Sequence, residues 1–234
     1  FEDATRLFYS KSEVNDYNGK KVRALGTPVV KCAATHNCAT ARRAPADAAS
    51  GLETVLFLAK GAKVMLTKNL WRKVGLVNGI RGEVVEIVYA EGAPASAPPC
   101  YVVVRFDGYT GLDWYRGCVP ISPVQSAWSS CGANGEGNTM TRTQLPLKLC
   151  WALTMRKSQG QTLDKAVIDL GKREACTGLT FVCLSRFNRI DDLLVTAMPF
   201  DRIGRLGQSP VLQARRVEDV RLSRLAVQTS QRLG

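Results

Sequence analysis

The chain has 234 residues, enough for one large domain or two small ones, and its hydrophobic content of 45% is ordinary for a globular core. No run of 18 or more apolar residues occurs, so no transmembrane helix is expected, and the acidic start Phe1-Glu2-Asp3 is unlike a signal peptide. Lys and Arg outnumber Asp and Glu by 32 to 20, a net charge of +12 that favours polyanionic partners, against the plainer reading of charge for solubility alone.

In chain order, residues 4–9 read as a short strand, and Ser10 with Glu13 reads as the capping box of a helix. Lys20, Lys21 and Arg23 follow, and Arg42 and Arg43 sit in the Ala-rich stretch 39–50, which reads as a linker or loose loop. Such charge clusters usually mark solvated faces. Strands are expected at 62–66, 83–89, 101–106 and 118–121, separated by Asn78-Gly79, the Pro/Ala loop 91–99 and Asp107-Gly108. Their close spacing suggests a small barrel between about 62 and 123. Asn78, Gly79 and Gly82 are read as hairpin-turn residues. Residues 126–144, rich in Gly, Ser, Asn and Thr, read as a flexible loop.

From Leu145 the pattern changes. Apolar runs at 147–154, 165–170, 179–184 and 193–197 suit strands of a sheet buried on both faces, as in an α/β domain. The tail 205–234 reads as a basic amphipathic helix, with Ser209-Pro210 at its start and one apolar face expected to pack on a core.

Eight cysteines contain no C-x-x-C pair, and the only histidine is His36, so no metal site is expected. Cys100, Cys150 and Cys183 lie in apolar runs, and reduced thiols of an intracellular protein are a simpler reading than a disulfide framework. The first residue is Phe1 rather than Met, which fits a piece of a longer polypeptide.

The segment richest in chemistry is Trp151 to Gly171. An apolar strand runs into Lys157-Ser158-Gln159-Gly160, and a second strand follows at 166–170. A cation, a hydroxyl, an amide and a glycine packed into four residues suit phosphate, because glycine lets the backbone approach and N–H groups at a helix start attract anions. On a chain this basic, nucleic acid is the expected source of that phosphate.

Four blocks in order carry a family resemblance. Arg6-Leu7-Phe8 through Asn18 is similar to motif IV of the PIF-type DNA helicases, the RecD-like branch of helicase superfamily one. GAKVMLTKNLWRKVGLVNGIRGEVVEIVY (61–89) is close to that family's own wording, PLKLCWALTMRKSQGQTLDKAVIDLG (146–171) resembles motif V, and LTFVCLSRFNRIDDLLV (179–195) resembles motif VI. The resemblance is to the carboxy-terminal half of these proteins. It implies an α/β fold in which 1–60 and 145–200 form the second RecA-like (P-loop NTPase type) motor domain. A small all-β SH3-like barrel at 70–125 would be inserted in it.

The function implied is part of an ATP-dependent 5′-3′ DNA helicase, an ATP hydrolase working as a monomer on single-stranded DNA. Repair, recombination and telomere maintenance, in the nucleus or mitochondrion and without a membrane, go with the family. No G-x-x-x-x-G-K-[ST] loop and no Walker B carboxylate occur in the sequence. The resemblance assigns the cradle for ATP and the hold on Mg2+ to an N-terminal RecA-like domain preceding Phe1. It makes Arg186 an arginine finger and Arg6 a second catalytic candidate. It puts Gln159 and Gly160 on the nucleotide, and Thr154, Arg156, Lys157 and Ser158 with Lys68 and Arg72 on the DNA. Lys73 would lie on the same path, and Trp71, Trp114 and Tyr115 could stack on bases, although each aromatic is more often core than platform.

From the residues alone, Arg186 would end an apolar strand and could instead pair with Asp191 or Asp192, and Arg6 could be an ordinary strand-edge charge. One departure stands out: the family usually carries His before Lys-Ser-Gln-Gly, where this chain has Arg156, which cannot act as a neutral acceptor. It leaves a second reading open, a stand-alone or degenerate nucleic-acid-binding module without motor activity.

Overall fold

The computed structural model describes residues 1–94, 97–112, 117–131, 137–170, 178–197, 204 and 207–233. In chain order they form β1 (Thr5–Phe8), α1 (Lys11–Ala24), β2 (Val30–Ala33), β3 (Thr35–His36), α2 (Ala39–Arg43), β4 (Val55–Leu58) and β5 (Lys63–Leu66). Next come β6 (Arg81–Val88), β7 (Tyr101–Phe106), β8 (Cys118–Ile121), β9 (Val124–Cys131) and β10 (Gly137–Gln144). The last are β11 (Leu147–Leu149), β12 (Ala152–Thr154), β13 (Ala166–Asp169), α3 (Leu179–Leu184), β14 (Leu193–Ala197) and α4 (Pro210–Leu233). The chain divides into two compact units, Phe1–Val14 with Leu153–Gly234, and Asn15–Ala152.

The first unit holds a sheet in the order β12-β1-β13-β14, with β1 parallel to β13 and β13 parallel to β14. Leu7, Val167 and Ile168 are buried, as the continuous apolar runs require of a sheet covered on both faces. After β1, Ser10 caps α1 as expected. The Glu13 N–H donates to Ser10 Oγ (3.1 Å), and the Ser10 N–H donates to the Glu13 carboxylate (3.1 Å).

Two expectations in this half are corrected. The run 147–154 is two strands. The buried Asn18 accepts the Ala152 N–H (2.8 Å) and donates to the Ala152 carbonyl (3.1 Å), so side-chain bonds replace ladder bonds where β12 begins. The run 179–184 is the helix α3. Gly178 opens it in the left-handed region (φ 89°), and Leu179 and Cys183, four apart, are its buried residues while Phe181 is 73% exposed. An apolar run that short cannot reveal by composition which period it follows.

The second unit is built on an antiparallel sheet in the order β11-β5-β6-β7-β8. The small barrel expected here is not seen as a closed ring, since β8 and β11 remain unpaired edges among the described residues. Val22, Cys32, Leu56 and Leu58 share a core with Val64, Val84 and Val104, so residues 15–60, expected with the parallel sheet, pack in this unit instead. Gly82 does not set a turn. It lies in β6 opposite Phe106, where a Cβ would run into the Arg105 carbonyl oxygen and come within 2.9 Å of Phe106 Cδ1. Gly79 (φ 100°) does make the turn before β6, its N–H donating to the Leu66 carbonyl (2.9 Å).

Within 126–144, expected as a flexible loop, the described residues 126–131 and 137–144 lie in the antiparallel strands β9 and β10, with β3 on the other side of β10. The Thr-rich composition suits a strand, and Ser126, Met140, Arg142 and Gln144 turn inward. Residues 39–50 are likewise ordered, as α2 and turns with Ala41 and Ala49 buried. Arg142 holds the two segments together. It is 0% exposed and donates to the carbonyls of Leu52 (2.8 Å), Ala41 (2.8 Å) and Ala44 (2.6 Å).

The C-terminal helix α4 forms where expected, but its apolar residues are not covered among the described residues. Val217 is 71% exposed, and Val220, Leu222 and Leu225 are exposed too. No helix among the described residues is long and apolar enough to cross a membrane.

Candidate functional site

In the first unit, β12 leads into a 3-10 turn, Met155–Ser158, and Gly160 then reverses the chain in the left-handed region (φ 77°). Arg156, Lys157, Gln159 and Gly160 are exposed on this turn, and Thr154 is half-buried at its start. Ser158 points the other way. It is buried, and its hydroxyl donates to the Met155 carbonyl (2.7 Å). The hydroxyl, expected to face DNA, is turned inward in this structure, where its proton closes the turn. Gln161, not singled out in the sequence, fixes the other flank by donating from Nε2 to the Lys157 carbonyl (2.8 Å). The turn thus presents two cations and an amide on a frame of internal hydrogen bonds.

Arg186 lies just beyond α3, not at the end of a strand as expected. Its Nε donates to the Val182 carbonyl (2.8 Å) and one terminal nitrogen donates to Ser185 Oγ (2.8 Å). The other terminal nitrogen makes no hydrogen bond among the described residues. The alternative pairing with Asp191 is not formed, because that carboxylate faces Arg189 (3.4 Å), both side chains being exposed. The segment that follows the turn reaches the arginine's backbone: the Leu163 N–H, three residues past Gly160, donates to the Arg186 carbonyl (3.0 Å).

Arg6 sits half-buried in β1, in register with Val167 of β13. Both β1 and α3 pack against the 3-10 turn, and Tyr9, just past β1, shares a hydrogen bond with Thr180 of α3 (3.3 Å). The elements bearing Arg6, the Lys157 turn and Arg186 are thus mutually packed within one unit. Among the described residues no group of three or more His, Cys, Asp or Glu side chains could hold a metal ion.

The remaining candidates lie in the second unit. Between β5 and β6, Lys68 is half-buried and burial pulls its pKa down, while Arg72 and Lys73 are exposed in a 3-10 turn, Arg72–Val74. Trp71 is exposed beside them. Trp114 and Tyr115 lie outside the described residues.

Comparison with known proteins supplies the family. Residues 48–87 match the family model described as DNA helicase Pif1, 2B domain. A protein of Danio rerio named ATP-dependent DNA helicase PIF1 is 35% identical over 221 residues, covering 94% of this chain and 31% of its own length. The chain therefore spans about a third of that relative. The crystal structure of the Pif1 helicase from Candida albicans superposes with a TM-score of 0.64 at 28% identity, over 85% of this chain and 46% of that one. A Bacteroides Pif1 crystallised bound to single-stranded DNA shares the fold, with a TM-score of 0.59 at 22% identity over 85% of this chain and 42% of that one.

Proposed function

The chain belongs to the Pif1 helicase family, and on that premise we propose that it supplies one of the two jaws of an ATP-driven motor on single-stranded DNA. The observation that carries the proposal is the backbone bond from Leu163 to Arg186. It ties the segment that follows a cationic turn, suited to DNA phosphate, to the backbone of an arginine suited to a nucleotide.

On this reading Lys157, Arg156 and Thr154 hold the DNA backbone, which positions the strand without reading its sequence. Arg186 reaches the γ-phosphate of an ATP cradled by a facing RecA-like domain, where an arginine supplied across a cleft contributes ~10³–10⁵ in rate. Gln159 and Gly160 line the same cleft and sense whether the γ-phosphate is present, and Arg6 adds positive charge from β1. Because α3 packs on the turn and the segment after the turn is bonded to the Arg186 backbone, closure on the nucleotide shifts the DNA-holding residues with it. The residues described here gather no carboxylate cluster that fits magnesium, and on this reading its hold belongs to the facing domain. On this reading Lys68 and Arg72, beside the second unit's sheet, also contact the DNA backbone.

Arg156 favours one other reading, a module that binds single strands without moving along them. Being exposed and permanently charged, it can hold phosphate, but it cannot serve as the neutral acceptor that the family's usual His supplies. The chain joined to a RecA-like domain carrying a phosphate-binding loop decides between them. Unwinding of a 5′-tailed duplex with ATP supports the motor, whereas tight strand binding without unwinding supports the module.

A further inference from the structure

Resting on the nucleic-acid reading above, we infer that the tip of the β5–β6 connection is a base-stacking platform for single-stranded nucleic acid, with Trp71 as the stacking face. The tip is built rather than loose. The Leu70 and Trp71 N–H groups both donate to the Leu76 carbonyl (2.9 and 3.1 Å), and the Leu76 N–H returns to the Trp71 carbonyl (3.0 Å). Gly75, in the left-handed region (φ 86°), closes the 3-10 turn, and Asn69 Oδ1 accepts the Asn78 N–H (2.8 Å). Leu76 is buried and anchors the loop, while Thr110 braces it from the neighbouring turn through the Val74 carbonyl (3.2 Å).

This scaffold holds the Trp71 backbone at both its N–H and its carbonyl, yet leaves the residue 50% exposed. An indole that served only the core would be turned inward. With its backbone already held, the residue has only side-chain freedom left to lose when a ligand arrives.

Charge selects the ligand. No acidic residue occurs between Glu53 and Glu83, a span that contains Lys60, Lys63, Lys68, Arg72, Lys73 and Arg81. Lys68, Arg72 and Lys73 make no ion pair among the described residues. An exposed π-face at position 71, with unpaired cations at 68, 72 and 73 in the same connection, fits a polyanion that carries aromatic rings. In a duplex the bases stack on one another, so only an unpaired strand offers a base face to a side chain.

The test uses the 234-residue chain and two labelled probes of about 15 nucleotides, a thymidine oligonucleotide and an abasic strand of the same length, read by fluorescence anisotropy. Trp71→Ala is expected to weaken thymidine-strand binding about tenfold and to leave the abasic strand unchanged, with Trp71→Phe losing much less. Arg72→Ala is expected to weaken both probes and to lower the log–log salt slope by about 0.7. An unchanged melting temperature for Trp71→Ala excludes a folding defect. Equal losses on both probes, or none on either, overturn the platform while leaving strand binding intact. Failure of the unaltered chain to bind either probe overturns the nucleic-acid reading and the platform with it.

Discussion

Replacing Arg142 by Met is predicted to be among the most damaging changes in the second unit. The side chain is fully buried, and its N–H groups satisfy the carbonyls of Leu52, Ala41 and Ala44. Met fills much of the space but donates nothing. The Ala44 carbonyl, at the half-buried end of α2, can turn to water, whereas Ala41 and Leu52 are 0% exposed and their carbonyls are left without donors. Each such loss costs about 1–3 kcal/mol, and release of the buried guanidinium returns part of it. A net loss of about 2–4 kcal/mol follows, a large fraction of the roughly 5–15 kcal/mol that holds a domain together. The contact of the guanidinium with the Trp128 ring (5.8 Å) disappears as well. Urea unfolding followed by circular dichroism measures the change. Arg142→Lys is expected to recover little, since one ammonium cannot reproduce the planar fork. A Met variant within about 0.5 kcal/mol of the unaltered chain would refute the reasoning, because surface changes lie in that range.

Gly82→Ala is predicted to disrupt β6–β7 pairing, since the new Cβ meets backbone that cannot move aside; near-normal expression and melting would contradict it. Ser158→Ala should lower stability by about 1 kcal/mol through loss of the bond to Met155 and leave the salt slope of DNA binding untouched, whereas a shallower slope would restore the hydroxyl to the DNA. Burial pushes the Cys32 and Cys150 thiols up to about 11 from 9.0. The unfolded chain therefore gives up these protons first, and stability should be level below about pH 9 and fall as pH rises toward 11. At neutral pH the exposed Cys38 and Cys100 should be alkylated well before Cys32 and Cys150, as peptide mapping after brief exposure to iodoacetamide would show.

The elements legible in the sequence were those with a local signal. The Ser10–Glu13 box, Asn78-Gly79 and the β-branched run Tyr101–Phe106 each carry their own cause, and the structure places all three as read. What stayed hidden depended on distant partners. Nothing near Arg142 in the sequence announces three carbonyls at positions 41, 44 and 52, so its strand looked like polar loop. Asn18 breaks an apolar run that lies 131 residues or more away in the chain. The helix α3 was not legible because a six-residue, mostly apolar run suits either period, and the cover on one face alone decides. At the site, the residue types on the Lys157 turn were legible, but the inward rotation of Ser158 was not, since a buried serine and an exposed one are spelled alike.

The proposal that a turn holding DNA works with an arginine facing the nucleotide is tested most directly by ATP turnover of the chain fused to a RecA-like domain with a phosphate-binding loop, measured with single-stranded DNA present. Arg186→Ala should reduce turnover by about 10³ or more while strand affinity stays the same. Arg189→Ala, an exposed neighbour occupied with Asp191, should change neither. Turnover at the unaltered rate in Arg186→Ala would contradict the account.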